Sequence, residues 1–317
     1  MYIKMKYINI CILTVLLAAT SACDRDEIFE REQYKHVVSL LSEGVFNIFA
    51  EELDLADEPS IGYVSASCGG ALAISEPITI HLEEAPDLLD YYNLINFEMS
   101  ADRFARYLSP NRYTVENYQI AIPAQERSGK TKIQINGDGL SPDSTYFIPF
   151  RITRANSEIN PEKSTVLYRV YMKNFYATNK SNVEYQQRSV QTDAADNKVN
   201  NMTAKRIFPL SGNSVRMFAG NQAFESDEKT IINWSVRLTV AEDGRVTITP
   251  WNNSSIGMKV RQIDNDPDYP NVFKIVDDGY RTFKTFLLCY EYTSPNDGPV
   301  YTMREELRLE FREEMKN

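Results

Sequence analysis

"NWSVRLTVAEDGRVTITPW", residues 233–251, is the stretch that indicates the fold most directly. Apolar residues alternate with polar ones before and after a short turn, a pattern that predicts a β-hairpin with one buried face. A two-residue turn would set Val246 opposite the polar face of the first strand. A three-residue loop ending at Gly244 instead pairs Val240 with Val246, so burial selects this loop and predicts a left-handed conformation for its glycine.

The same alternation recurs in other parts of the chain. Three further stretches show it: "STYFIPFRITRAN" (144–156), "TVLYRVYMKN" (165–174) and "YTMREELRLEF" (301–311). One buried face and one wet face are typical of antiparallel sheets. Helical spacing is scarce, and "EREQYKHVVSLLSEG" (30–44) fits either a helix or a strand. The sequence therefore predicts an all-β chain.

The amino terminus has the features of a secretory signal. Lys4 and Lys6 precede an apolar run, Ile8–Ala22, that is shorter than the ~20 residues of a membrane span and ends in small residues. Cys23 follows directly, and the arrangement resembles the lipobox of bacterial lipoproteins, which predicts acylation of Cys23. The alternative is an ordinary cleavage site with an incidental cysteine. The acidic residues 24–27 resemble the signal that exports Bacteroidetes lipoproteins to the outer face of the outer membrane.

The rest of the chain is long enough for two domains. A strong strand gives way to polar residues near 172–186, which predicts a boundary there. We expect the chain to divide into a signal peptide (1–22), an acylated N-terminus and linker (23–30), an N-terminal domain (31–174) and a C-terminal domain (175–317).

Charge and motifs exclude several classes of function. The net charge is −10 and no basic tract occurs, so nucleic acid is not an expected partner. No cofactor motif or zinc-ligand spacing is present, and His36 and His81 are expected on strand surfaces rather than in a catalytic site. Cys68 and Cys289 are expected to be buried thiols, and the alternative is a disulfide between them, which an exported protein permits. We predict that the protein is not an enzyme and binds neither a cofactor nor a metal.

One acidic stretch resembles the opening of a calcium loop. "DNDPDYPN" (264–271) places Asp264, Asp266 and Asp268 at alternate positions. The sharp glycine turn and the closing glutamate of such a loop are missing. A polar loop is therefore the prediction.

Several stretches occur in the order seen in a family of two-domain Bacteroidetes surface lipoproteins. They are "EREQYKHVVSLLS" (30–42), "GYVSASCGGALAISEPITIHLEE" (62–84), "LLDYYN" (88–93), "NRYTVENYQIAIPAQERSGKTKIQING" (111–137), "LSPDSTYFIPFRIT" (140–153), "FLLCYEYTS" (286–294) and "YTMREELRLEF" (301–311). The first half resembles an N-terminal domain of unknown function also found ahead of some family 18 glycoside hydrolases. The resemblance implies an Ig-like antiparallel β-sandwich, followed by a C-terminal antiparallel β-barrel or second sandwich. It also implies an accessory role in a starch-utilisation-like glycan uptake system.

Carbohydrate binding is the most specific functional hypothesis. The hairpin register places Trp251 on the outward face, followed by Asn252 and Asn253, and Tyr269 offers a second ring. An exposed aromatic ring with amide side chains around it is a suitable binding site for a sugar. The alternative for Trp251 is packing under a neighbouring loop.

The predicted function is therefore that of an outer-membrane lipoprotein, facing outward, that binds extracellular oligosaccharide or polysaccharide without turnover. An outer-membrane transporter and a glycoside hydrolase are the implied protein partners. Two alternatives stay open: a protein-interaction scaffold of the same complex, or a carrier of a small apolar ligand inside the C-terminal barrel.

Overall fold

A computed structural model describes residues 36–70, 72–98, 100–251 and 256–311 of the chain. Strands make up 53% of it, which confirms the all-β prediction. The ambiguous stretch at 30–44 contributes a strand. The predicted signal peptide and Cys23 lie outside the described residues. Within the described ranges, no helix is both long and apolar enough to cross a membrane.

The first of two N-terminal sheets has five strands. In chain order they are β1 (Val37–Leu40), β3 (Ser60–Gly69), β6 (Tyr113–Val115), β8 (Ser128–Ile135) and β10 (Glu158–Ile159). Their spatial order is β10-β1-β3-β8-β6. Burial alternates along β3 and β8 with the period of two that their sequences predict.

The second N-terminal sheet has six strands. They are β2 (Ile48–Asp54), β4 (Ile78–Glu84), β5 (Arg106–Tyr107), β7 (Gln119–Ile122), β9 (Tyr146–Ala155) and β11 (Thr165–Lys173). The main order is β2-β11-β9-β4-β7, and β5 pairs with β9. Most pairs in the two sheets are antiparallel, whereas β1–β10, β2–β11 and β5–β9 are parallel.

The two sheets enclose one apolar core, which confirms the predicted N-terminal sandwich. Helix α1 (Asp87–Phe97) lies on the outer face of the second sheet, where Leu89 joins a small apolar cluster with Phe147 and Leu167. The side-chain amide of Asn93 secures this helix, because it both donates to and accepts from the backbone of Ala105 at 2.9 Å.

The C-terminal half forms one nine-stranded antiparallel sheet. Its strands are β12 (Glu184–Asp193), β13 (Lys198–Ser211), β14 (Ser214–Phe218), β15 (Ser235–Val240), β16 (Val246–Pro250), β17 (Lys259–Gln262), β18 (Val272–Asp277), β19 (Thr282–Thr293) and β20 (Val300–Phe311). The order is β16-β15-β14-β13-β12-β20-β19-β17, with β18 also on β19. A bridge between Arg245 and Val272 nearly closes the sheet into the predicted barrel.

The hairpin of β15 and β16 has the register predicted from the sequence. Val240 pairs with Val246 and Leu238 with Ile248, and Gly244 has a φ of +83°. Before this hairpin, helix α2 (Glu228–Trp234) begins at Asp227, whose side chain accepts a hydrogen bond from the Thr230 amide.

Side chains fill the barrel interior. The large buried members of this core are Tyr185, Met217, Leu238, Phe286, Leu288, Tyr290, Met303 and Leu307. The alternative of an apolar-ligand carrier required a cavity in the barrel, and this packed core speaks against it.

Contacts near Asn174 join the sandwich to the barrel. The side-chain amide of Asn174 donates to the carbonyls of Ser211 (2.7 Å) and Ser214 (2.9 Å). Arg216 of β14 is 1% exposed and forms a two-pronged ion pair with Asp143, which precedes β9 in the sandwich.

Candidate functional site

A cleft of about 400 Å³ opens at one mouth of the barrel, between β12, β13 and the segment 218–224. The ladder between β13 and β14 ends at the pair Ile207–Met217, so the part of β13 before Ile207 is separated from β14 and leaves room for the cleft. Most of the side chains that line it are polar: Glu184, Gln187, Asn201, Thr203, Lys205, Arg206, Asn221 and Gln222. Its apolar side chains are Ala204, Phe218, Ala223 and Phe224.

A buried polar network forms the floor of the cleft. Glu305 of β20 is 0% exposed and accepts hydrogen bonds from Lys205 Nζ (2.8 Å), Gln187 Nε2 (2.7 Å) and the Tyr290 hydroxyl (2.7 Å). Lys205 Nζ also donates to the Gly220 carbonyl at 2.7 Å. Each charged group therefore has a partner, as burial of an ion requires.

Burial shifts the ionisation of this floor. Desolvation lowers the pKa of the Lys205 ammonium, and the Glu305 carboxylate opposes that effect. Desolvation, followed by the charge of Glu305, raises the pKa of the Tyr290 hydroxyl well above its usual value. Tyr290 is therefore a neutral hydrogen-bond donor at neutral pH.

Gly220 brings its backbone into the floor because it has no side chain. Its φ is +58°, and a Cβ there would lie 2.2 Å from the Tyr292 hydroxyl oxygen. The backbone amide of Gly220 donates to the Tyr290 hydroxyl at 2.9 Å, and its carbonyl accepts from Lys205. The segment after β14 can cross the mouth only with glycine at this position.

Amide side chains form one wall above the floor. Asn221 donates to Gln191 Oε1 at 2.8 Å and accepts from Ser189 and Asn201, each at 3.2 Å. Gln187 differs from Asn221 because its side-chain oxygen, Oε1, is buried and has no hydrogen-bond partner within the described ranges.

A stacked row on the outer face connects the cleft to Trp251. Phe224, which lines the cleft, lies 5.2 Å from Phe208 between ring centroids. The Arg216 guanidinium carbon lies 4.8 Å from the Phe208 centroid and 5.7 Å from that of Trp251. Arg237 covers Trp251 as well, at 5.2 Å.

Of the four residues predicted to bind glycan, the structure describes Trp251 and Tyr269. Trp251 lies on the face of Arg237, as the register predicted, and it is half-buried rather than open. Asn252 and Asn253 lie outside the described residues. Tyr269 is half-buried in a loop, where its backbone amide donates to Asp266.

Hydrogen bonds within the protein hold the acidic loop at residues 264–271. Asp266 accepts hydrogen bonds from Arg304 Nε (2.7 Å) and from the backbone amides of Asp268 and Tyr269. Burial acts to raise the pKa of Asp266, but these donors hold it below its usual value. Across residues 36–70, 72–98, 100–251 and 256–311, no three His, Cys, Asp or Glu side chains converge as a metal site would need. Cys68 and Cys289 are buried thiols rather than disulfide partners.

The cleft is not among the sites predicted from the sequence, although the sequence contains one signal for it. In "YTMREELRLEF" the inward-facing positions include Met303 and Leu307, and Glu305 lies between them. A carboxylate in a core position demands a buried partner. Lys205 could not be identified as that partner, because a hundred residues separate the two in sequence.

Two paired family models match the sequence. One describes an N-terminal domain and covers residues 34–159, and the other describes a C-terminal domain and covers residues 164–308. No protein with a curated description matches significantly.

Solved structures share the fold at low sequence identity. A Bacteroides ovatus protein of unknown function has a TM-score of 0.66 and 15% identity, over 89% of this chain and 99% of that one. A Bacteroides ovatus multidomain protein that includes DUF1735 has a TM-score of 0.61 and 14% identity, over 88% and 95%. An auxiliary nutrient binding protein from Bacteroides thetaiotaomicron has a TM-score of 0.56 and 12% identity, over 83% and 90%. The paired models occur in the order that the sequence resemblance predicted, and the chain belongs to the two-domain family that they describe.

Proposed function

We propose that the protein binds glycan non-covalently at the cleft, as a cell-surface accessory of a polysaccharide uptake system. The observation that carries the proposal is the lining of the cleft, where the amides of Asn201, Asn221 and Gln222 lie beside the rings of Phe218 and Phe224. Sugars carry hydroxyls on their rims and C–H groups on their faces. Amide side chains and aromatic rings are the groups that suit both.

The fold supports this class of function. The auxiliary nutrient binding protein of Bacteroides thetaiotaomicron has the same fold over most of its length. Extending nutrient binding from that protein to this chain, with glycan as the nutrient, is part of the proposal.

We propose binding without turnover. Glycoside hydrolysis in most families uses two carboxyl groups about 5–10 Å apart that flank the scissile bond. At this cleft, Glu305 is buried in the floor and accepts hydrogen bonds from three donors, and Glu184 pairs with Arg206 at 3.2 Å. Both carboxylates serve the protein's own structure.

The proposed cellular location is the outer face of the outer membrane, where acylated Cys23 anchors the protein. Two acyl chains supply stable membrane binding, since each buried CH₂ contributes ~0.8 kcal/mol. Mass spectrometry of the N-terminal peptide tests the acylation. A Cys23→Ala protein recovered in the soluble fraction would agree with the anchor, and one that stays in the membrane would refute it.

The binding proposal is tested with soluble protein starting at Asp24. A glycan array identifies a ligand, and calorimetry then compares wild type with Asn221→Ala and Trp251→Ala. We expect Asn221→Ala to weaken binding by about tenfold or more, because Asn221 orders the amide wall. Tyr280→Ala is the control, since this ring is 96% exposed on the β18–β19 turn and away from the cleft.

Loss of binding in Trp251→Ala would extend the site along the stacked row, and unchanged binding would confine it to the cleft. If Asn221→Ala and Tyr280→Ala both bind like wild type, the site proposed here is wrong.

A protein-interaction scaffold is the second candidate, and one surface favours it. Helix α1 exposes Tyr91 (60%), Leu94 (59%) and Ile95 (54%) on one face. Spacing of three and four residues makes these side chains neighbours. Co-purification of transporter or hydrolase components that Leu94→Glu abolishes, together with an empty glycan array, would favour the scaffold.

A further inference from the structure

We infer that the cleft holds the terminal unit of a neutral oligosaccharide, one hydroxyl of which donates to Gln187 Oε1. This inference rests on the proposed function. It adds the charge class of the glycan and the way the glycan enters.

The orientation of the Gln187 side chain is determined by its partners. Gln187 is 1% exposed, and its Nε2 donates to Glu305 Oε2 at 2.7 Å and to the Gly220 carbonyl at 3.3 Å. Both partners are acceptors, so only the amide nitrogen can face them. The oxygen therefore points away from these two acceptors, and it is a buried atom on a residue that lines the cleft.

The Gln187 oxygen lacks a donor. No group among the described residues donates to Oε1. Buried acceptors without a partner are rare in folded proteins, and each calls for an explanation. A ligand hydroxyl in the cleft is a donor of the right kind, and sugars carry several.

Charge balance makes the expected ligand neutral. Lys205 pairs with Glu305 at 2.8 Å, and Arg206 pairs with Glu184 at 3.2 Å. The other polar lining groups are amides and a hydroxyl. A uronate or sulfated sugar would need a cation that is not already compensated, and the lining offers none.

The shape of the cleft favours a chain end. Lys205, Glu305, Tyr290 and the Gly220 backbone close the inner end with a hydrogen-bonded layer. The volume of about 400 Å³ is near the lower limit of ligand pockets, which span about 300–1,000 Å³. One or two sugar units fit such a space, whereas a chain passing through would need a second opening.

Solution NMR of the wild-type protein starting at Asp24 tests the inference. The side-chain amide resonance of Gln187 is assigned by its loss in Gln187→Leu. Neutral gluco- and mannotrioses are the probes, with trigalacturonic acid as the acidic counterpart. We expect a neutral trisaccharide to shift the Gln187 amide resonance, and the neutral polysaccharide of the same linkage to bind far more weakly at equal mass because it has few ends.

Calorimetry adds a variant and a matched control. Gln187→Leu should weaken binding of the neutral trisaccharide by about tenfold or more, while Gln119→Leu, on an exposed position of β7, should leave it unchanged.

Binding of acidic sugars only, binding that leaves the Gln187 resonance in place, or equal binding of polysaccharide and trisaccharide would overturn the inference while the proposed function stands. If none of the probes and none of the arrayed glycans binds, both the inference and the proposed function are wrong.

Discussion

Glu305 is the residue on which the floor of the cleft depends, because Lys205, Gln187 and Tyr290 all donate to it. A buried ion pair contributes little net stability compared with apolar residues of the same size. Removing one partner is different, because it leaves the other charge buried without compensation.

We therefore predict that Lys205→Met destabilises the protein by about 3–5 kcal/mol. The double variant Lys205→Met/Glu305→Leu should be less destabilised than the single one, because no uncompensated charge remains. Urea unfolding measures both. The control is Lys259→Met, which breaks an exposed ion pair with Asp297 and should change stability by about 1 kcal/mol or less. A single variant no worse than this control would contradict the account of the floor.

Asp266 predicts a pH dependence of stability. Its pKa is lower in the folded protein than in the unfolded chain, so the ionised form stabilises the fold. That stabilisation is complete above the unfolded pKa of ~4 and is lost as the pH falls toward the folded pKa. Unfolding curves should show wild type more stable than Asp266→Asn at pH 7, with the difference shrinking below about pH 4. Asp268→Asn, on an exposed neighbour, is the mutational control. A stability difference between wild type and Asp266→Asn that stays constant with pH would refute the assignment.

The hairpin of β15 and β16 shows which features of an element could be predicted from its local sequence. Its register follows from matching apolar faces across a short loop, so the local sequence was sufficient. The loop glycine has a second constraint that the sequence did not reveal. A Cβ on Gly244 would lie 2.7 Å from the Phe273 carbonyl oxygen, where the hairpin meets β18 and the barrel nearly closes.

Gly244 and Gly279 allow the effect of a left-handed φ to be separated from the effect of a steric clash. Gly244 and Gly279 both have left-handed φ values, +83° and +88°, but a Cβ on Gly279 would meet nothing within 4 Å. We predict that Gly279→Ala costs about 1–2 kcal/mol from backbone conformation, and that Gly244→Ala costs more because of the clash. Thermal or urea unfolding compares them. Equal losses would mean that the barrel closure does not depend on this contact.

The cleft itself could not be predicted from local patterns. It depends on where β13 separates from β14 and on Gly220, whose role is set by Tyr292, 72 residues later in the sequence. Trp251 was predicted on the outward face because register alone decides that. Its covering by Arg216 and Arg237 involves two other strands, and no periodicity encodes such a contact.

At the scale of the whole molecule, the sandwich and the barrel are joined by a buried charge contact. Arg216 lies in β14 of the barrel and pairs with Asp143 of the sandwich, and it also lies beside Trp251. The junction and the stacked row therefore share one side chain. We therefore expect a substitution of Asp143 to change the environment of the Trp251 indole.

We predict that Asp143→Ala destabilises the protein by about 1–3 kcal/mol, because it leaves the Arg216 guanidinium buried without its carboxylate. Urea unfolding followed by tryptophan fluorescence detects this, and a changed native emission should accompany it. Asp138→Ala, at an exposed position nearby in the sandwich, is the control. An unaltered emission spectrum and wild-type stability would show that the pair does not hold the junction.

Glycan binding by this molecule is tested by a glycan array of the wild-type chain starting at Asp24, followed by calorimetry of the strongest ligand with wild type and Asn221→Ala. We expect saturable binding of a neutral oligosaccharide that Asn221→Ala weakens by about tenfold or more. An array on which no glycan binds would show that the proposed function is wrong.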